Sequence, residues 1–256
     1  MIGAALAAAI VAVSACLNAA SAATVAIDVG HFLAKPGATS ARGRAELEFN
    51  RDFAAEIKSE LEALGQQTRL IGADGGMTDL WRRTRAARGA DFFISVHHDS
   101  TQARFQSAWQ FEGMEQRYSD RFAGFSLFVS RDSRTWRPAL KCASAIGAAL
   151  VKAGFRPSLY HADPVVGENR PFADKANGVH YFDHLAVLRH AAMPAVLFEA
   201  GVIVNRNEEA RMRDGTVRRQ IGLSVAHGID ECMKKDEGGR MKDEGKTHSK
   251  DTADGK

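Results

Sequence analysis

From Thr24 to Met233 short apolar runs alternate with amphipathic stretches, and this rhythm constrains the fold more than any other feature. Val25–Val29, Thr68–Ile71, Phe92–Val96, Phe125–Ser130, Leu185–Leu188 and Ala195–Phe198 have the length and residue types of strands. Arg44–Leu64 reads as a helix ended by Gly65, and Thr78–Arg88 as a basic helix capped by Thr78. A third helix runs from an Asp132 cap to about Lys152, where Gly154 and Pro157 stop it, and Gly215–Met233 closes the series. Strands alternating with helices make an α/β layered domain around a mostly parallel sheet. At 256 residues the chain suits one such domain with a sizeable core.

Three of the apolar runs lead into residues with acid/base or metal-binding side chains. Val25–Val29 runs into His31, Phe92–Val96 into His97, and Val196–Phe198 into Glu199. Strands of a parallel sheet carry active residues beyond their carboxyl ends. Two histidines and a carboxylate delivered there suggest a hydrolytic metal site. Glu46 joins them by helix geometry. At 100° per residue it lies in line with Asn50, Phe53, Ile57, Leu61 and Leu64, so it heads the buried stripe, while Glu48 points away. A carboxylate on a buried stripe must be paired or metal-bound.

Each of these residues also has a plainer reading. His31, after the flexible Gly30, fits a surface loop. Glu46 fits the first turn of a helix, where the dipole favours an acid. Glu199 fits a salt bridge to Arg206. His97 and His98 point to opposite sides of their strand, so at most one enters a given site. His97 is the ligand candidate, His98 a supporting donor, and Asp99 serves the following turn. Two long segments break the rhythm: the aromatic Thr101–Ala123 and the His-, Asp- and Pro-rich Arg156–Tyr181. Segments of this length are usually functional, and both flank candidate site strands, so they are expected to wall the cleft.

Composition adds limits. A net charge of +3 gives no sign of a nucleic-acid surface. The opening stretch, rich in Ala, Ile, Val and Leu, reads as a secretory signal over residues 1–22, although no Lys or Arg precedes its apolar run. Ala20-Ser21-Ala22 fits an ordinary cleavage site. Val13-Ser14-Ala15-Cys16 fits a lipoprotein signal over residues 1–15 that leaves Cys16 lipidated, the one route here to a membrane. Both readings export the chain. Export allows a Cys142–Cys232 disulfide, and two buried thiols fit equally well. No Cys-x-x-Cys occurs, so a cysteine zinc site is excluded. Residues 234–256 are polar and charged and are expected to be disordered.

Taken together, the motifs resemble the zinc-dependent N-acetylmuramoyl-L-alanine amidases of the amidase-3 family, bacterial cell-wall amidases used in cell separation. The family's D-P-G-H-G-G-x-D-P-G-A is matched by Asp28, Gly30, His31, Pro36, Gly37 and Ala38. G-x-x-E-x-x-x-N is matched by Gly43, Glu46 and Asn50. I-S-I-H-A-D corresponds to Ile94-Ser95-Val96-His97-His98-Asp99. V-L-R and P-A-V-L-V-E-x-G-F correspond to Val187-Leu188-Arg189 and Pro194 to Val202, with Asn205 trailing. Val29, Phe32, Leu33, Lys35 and Val202 depart from the pattern, at positions expected to shape the rim more than the metal site.

The resemblance implies a twisted, mostly parallel sheet between layers of helices, with a catalytic domain over residues 24–233. It implies one zinc ion held by His31, Glu46 and His97, with Glu199 as the catalytic carboxylate. Asp28, Asn50, His98 and Arg189 would support the site or meet substrate. Peptidoglycan would be the substrate, the periplasm the location, and a protein activator a candidate partner. Some relatives carry a mobile inhibitory helix near Thr101–Ala123, which here would bear Glu112 and Glu115.

Overall fold

The computed structural model describes residues 22–234; residues 1–21 of the expected signal, Cys16 among them, and the polar tail beyond Lys234 lie outside the described residues. The chain forms β1 (Thr24–Val29), α1 (Glu46–Ala63), β2 (Gln67–Ile71), α2 (Leu80–Ala86) and β3 (Phe92–Asp99). A small hairpin follows, β4 (Ser107–Phe111) and β5 (Met114–Tyr118), then β6 (Ser126–Val129) and α3 (Trp136–Lys152). The remainder is β7 (Phe172–Asp174), β8 (Val179–Tyr181), α4 (Ala186–Arg189), β9 (Ala195–Val202), α5 (Arg206–Arg213) and α6 (Gly215–Lys234).

Seven strands make one mixed sheet in the order β2-β1-β3-β9-β6-β8-β7. The first four run parallel, and β6 joins β9 antiparallel. Helices cover both faces, as an α/β layered domain requires. On one face α1, α3 and α6 pack Phe49, Phe53, Ile57, Ile146 and Ile229 against Val25, Ile27, Ile94, Val96 and Phe198. The other face is thinner: Val187, Leu188 and Met193 cover Ala26, Phe93 and Leu197. The buried residues of α1 include Glu46, Asn50, Phe53, Ile57 and Leu61, the stripe expected from its period, and Glu48 is exposed beside Arg44.

Cys142 on α3 and Cys232 on α6 form a disulfide, with Cα atoms 5.1 Å apart. The bond ties two packed helices and resolves the choice between bridge and free thiols.

Four local expectations are corrected. Leu185–Leu188 is not a strand; α4 occupies it. β9 is already paired on both sides, by β3 and β6, and the segment before it turns helically to bury Val187 and Leu188. The basic helix starts at Leu80, capped by the Asp79 carboxylate, which accepts from the Trp81 N–H, and not at Thr78. The third helix starts at Trp136, not after Asp132, whose carboxylate faces Arg189 instead. Pro138 sits in its first turn, where no N–H is needed. Finally, Thr101–Ala123 holds the β4–β5 hairpin and one short 3₁₀ turn, with no α-helix of the inhibitory kind. Its tip is the two-residue turn Glu112-Gly113, both at positive φ, as tight hairpins prefer.

Candidate metal and catalytic site

Parallel pairing brings the carboxyl ends of β1, β3 and β9 together. Val29 is level with Val96, and His97 is level with Glu199. The helix α1 then points its first turn at this edge. Its first residue, Glu46, is 5 % exposed and lies between the two histidines. Glu46 Oε2 is 2.9 Å from His31 Nε2, and Oε1 is 3.1 Å from His97 Nδ1. Backbone N–H groups also donate to the carboxylate: Ala38 to Oε2 at 3.0 Å and His98 to Oε1 at 3.2 Å. Burial opposes ionisation of Glu46, yet the hydrogen bonds to His31 and His97 prevail and hold it well below the usual carboxylate range.

The backbone is shaped to admit this trio. A Cβ at Gly30 would stand 2.3 Å from the His97 ring. Gly30 is therefore needed for close approach, while the sharp turn falls on the next residue: His31 itself has φ 69°. Histidine tolerates the left-handed region better than most residues, and such strain is held where surrounding contacts over-determine it.

Arg83 supplies those contacts. Its guanidinium, 2 % exposed, donates to the carbonyls of Val29, His31 and Met77 and to Asp28 Oδ1 at 2.7 Å. Asp28 Oδ2 accepts from Ser95 Oγ at 2.7 Å. Asp28 thus supports the His31 turn from beneath.

Asn50, one turn along α1, donates to the Gly30 carbonyl and to Glu46 Oε1, both at 3.2 Å. Its amide oxygen must then accept, so the His98 Nδ1 atom 2.8 Å away carries the proton. Burial pushes His98 down to about 3, which keeps the ring neutral between Phe49 and Phe53. His98 supports Asn50 and does not enter the ligand trio with its ring. Arg189 stands half exposed, 3.8 Å from Asp132, and is not joined to these residues.

Glu199 shares a strand face with Leu197 and His97. Its Oε2 is buried without a hydrogen-bond partner among the described residues, and no salt bridge to Arg206 forms, because Arg206 pairs with Asp120. Burial first, then the negative charges of Asp99 and Glu46, raise its proton affinity well above that of an ordinary carboxylate. A cleft of about 210 Å³ beside His31 and His97 is lined by Phe32, Leu80, Leu185, Val187 and Leu197.

Asp99 does more than serve a turn. Oδ1 accepts from the Ser100 N–H at 2.7 Å, and Oδ2 lies 2.7 Å from His161 Nε2. Arg83 and His161 were not among the residues expected here. Arg83 shares the inner face of its helix with Thr84 and Ala87, so the face argument that singled out Glu46 points to it as well. His161 lies in an irregular segment where no periodicity marks a buried face.

His31, Glu46 and His97 offer two ring nitrogens and a carboxylate oxygen, all within 4.8 Å of one another. Two nitrogens and one oxygen suit a divalent transition metal with an open position. The buried carboxylate and the close approaches that Gly30 and Gly37 leave to the two rings fit such an ion.

Comparison with known proteins follows the same line. The N-acetylmuramoyl-L-alanine amidase family model (Amidase_3) matches residues 25–231. Amidase AmiC of Neisseria meningitidis serogroup B is 27% identical over 228 residues, which cover 80% of this chain and 51% of that protein. The probable amidase AmiB of Haemophilus influenzae is 25% identical over 231 residues, with the same coverage of each. The chain thus spans about half the length of the curated relatives it matches. Among solved structures, the catalytic domain of the amidase CwlV from Bacillus (Paenibacillus) polymyxa var. colistinus superposes with a TM-score of 0.62 at 24% identity, covering 83% of this chain and 98% of that one. The amidase Ami1 of Mycobacterium smegmatis gives 0.65 at 20% identity, covering 83% and 97%. These structures share the fold. With the family model spanning nearly all of the described residues, the chain belongs to the N-acetylmuramoyl-L-alanine amidase family.

Proposed function

We propose that the chain hydrolyses the amide bond between the lactyl group of N-acetylmuramic acid and L-alanine of the peptidoglycan stem peptide, with zinc held by His31, Glu46 and His97. The observation that carries this reading is the juxtaposition of that trio with Glu199, level with His97 on the neighbouring strand and free at one carboxylate oxygen. Bound zinc supplies Lewis acidity, making water a better acid and polarising the scissile carbonyl. Glu199 takes the proton of the attacking water and returns it to the departing amine of L-alanine. Its raised proton affinity suits both halves of that task. Asn50, Asp28 and Arg83 hold the ligand-bearing backbone, and the apolar cleft wall limits water near the site.

The same reading places the protein outside the cytoplasm, in cell-wall remodelling and cell separation. The apolar N-terminal stretch and the Cys142–Cys232 bridge support it, since disulfides persist in oxidising compartments. A secretory or lipoprotein signal, lipidation of Cys16 and a protein activator belong to this proposal.

The test is digestion of purified peptidoglycan with and without a chelator, followed by mass analysis. Free muramoyl glycan with an intact stem peptide, lost on chelation and restored by zinc, supports the reading. Cleavage inside the peptide would make the chain a zinc peptidase. A folded protein that binds the wall, takes up no zinc and cuts nothing would make it a binding module.

A further inference from the structure

The metal cleft has a neighbour along the seam between α2 and α4. Leu80, Leu185 and Val187 line the cleft beside His31 and His97. In the same two segments, Trp81, Thr84, Arg85, Arg88 and His190 line a second cavity of about 500 Å³. The two cavities adjoin, because the consecutive residues Leu80 and Trp81 open onto one each. The hydrolytic scheme uses neither Trp81 nor the two arginines.

The lining is shaped for contact with something beyond the fold. Trp81 is 55 % exposed and Leu80 48 %, although both are large and apolar. Burying such side chains would stabilise the fold, so an adjacent exposed pair at a cleft rim suits a ligand instead. The Trp81 ring stacks on His190, with centroids 3.7 Å and planes 23° apart, which ties α2 to α4 and holds the indole in place. Thr84 Oγ1 donates back to the Trp81 carbonyl at 3.1 Å. Charge here is one-sided. Asp79 is the one acid in the described wall, and its carboxylate already accepts from the Trp81 N–H at 2.8 Å. Arg85 stands 3.7 Å from Asp79, an exposed pair worth little. The Arg88 guanidinium has no acid partner among the described residues.

We propose that this second cavity receives the peptide arm of the substrate, and that Arg85 and Arg88 bind the carboxylate of an acidic residue following L-alanine. The inference rests on the amidase reading above and adds what is recognised beyond the scissile bond. Arginine meets a carboxylate through paired N–H donors, and these two have donors to offer. At 1.5 Å per residue, Leu80 and Arg85 stand about 8 Å apart along α2. An extended peptide advances about 3.3 Å per residue. A peptide leaving the cleft past Leu80 therefore meets the arginines about two residues on. Trp81 packs against its apolar portion. An uncharged glycan gives the two arginines no such partner.

The test compares two substrates on the full zinc-loaded chain: N-acetylmuramoyl-L-alanyl-glutamate, and the same compound with both carboxyl groups amidated. Arg85→Gln combined with Arg88→Gln is expected to raise KM for the acidic substrate about 10-fold or more. Its kcat, zinc content and Tm should stay at the wild-type level, and KM for the amidated substrate should not move. Trp81→Ala should raise KM for both substrates, since its contact does not depend on charge. An equal effect of the arginine pair on both substrates, or none on either, would overturn the proposal. A Trp81→Ala penalty that grows with glycan length and ignores the peptide would assign the cavity to the glycan and overturn it too. If the wild-type chain does not cut the muramoyl amide, the amidase reading fails on its own. Binding then decides the inference: L-alanyl-glutamate must shift the Trp81 indole NMR signal in the wild type and not in the double arginine variant. An unmoved signal, or the same shift with the amidated dipeptide, rejects the site.

Discussion

Replacing Arg83 by Ala tests how the fold supports the proposed metal site. The guanidinium is buried and meets four acceptors: Asp28 and the carbonyls of Val29, His31 and Met77. Removing it leaves the buried Asp28 carboxylate with Ser95 as its remaining side-chain donor among the described residues. Breaking a buried pair from one side costs about 3–5 kcal/mol. For a chain of this size each kcal/mol moves Tm by about 2–4 °C, so a fall of roughly 6–20 °C is expected. The His31 carbonyl loses its tether as well, and zinc affinity should drop about 10- to 100-fold. Urea titration of Arg83→Ala, Asp28→Ala and the double variant, with metal affinity measured by competition, provides the assay. The double variant should be less destabilised than the sum of the singles by more than about 0.5 kcal/mol, the usual limit of additivity. A cost below about 1 kcal/mol for Arg83→Ala, or additive costs with zinc affinity intact, would refute the reasoning.

Glu199→Ala should abolish hydrolysis while leaving zinc content at the wild-type level, whereas His31→Ala or His97→Ala should lose the metal; elemental analysis beside activity separates the two. Changing both Cys142 and Cys232 to Ala opens a crosslink between positions 90 apart, worth about 4–5 kcal/mol in the chain-entropy treatment, and should lower Tm with kcat unchanged. His161 is raised to about 9, since its two carboxylate partners outweigh the cost of burial. Its folded-state value lies above the unfolded one, so this contribution is complete below about 6.5 and is lost as pH rises through about 9. Denaturation curves across that range should show a decline on the order of a few kcal/mol, absent in His161→Gln.

Most of the architecture was legible because periodicity reports burial. The stripe through Asn50, Phe53 and Ile57 marked the inner face of α1 and with it the position of Glu46. The strand ends marked His31, His97 and Glu199. What escaped was set by partners distant in the chain. Leu185–Leu188 has a strand's composition, but β9 beside it already has β3 and β6 as partners, and the segment buries Val187 and Leu188 from a helical turn. Thr78 and Asp132 are good capping residues, yet the helices begin where packing of the segments places them. The hairpin of β4 and β5 hid in a polar, aromatic stretch, because its inner side chains stack on Arg42 and Arg206 and not on the main core. Arg83 lies on a face that the helix period marks as inner, but its carbonyl partners come from distant segments, and His161 sits in an irregular segment with no period to mark it.

The reversal of direction between β9 and β6 has a consequence for how such a site diversifies. Ser126, the first residue of β6, is level with Glu199. An antiparallel neighbour presents its entrance where a parallel one presents its exit. The segments leading into β6 and into β8, which runs parallel to β6, therefore arrive at the same rim as the ends of β1, β3 and β9. The first carries the hairpin; His161 lies before β7, in the segment that leaves α3 beside the start of β6, where the Ser158 N–H donates to the Phe125 carbonyl. Both long excursions of the chain are thus gathered over the reactive end, while the disulfide side keeps its connections short. Lengthening or recasting either excursion would alter what the cleft accepts without disturbing a single rung of the sheet.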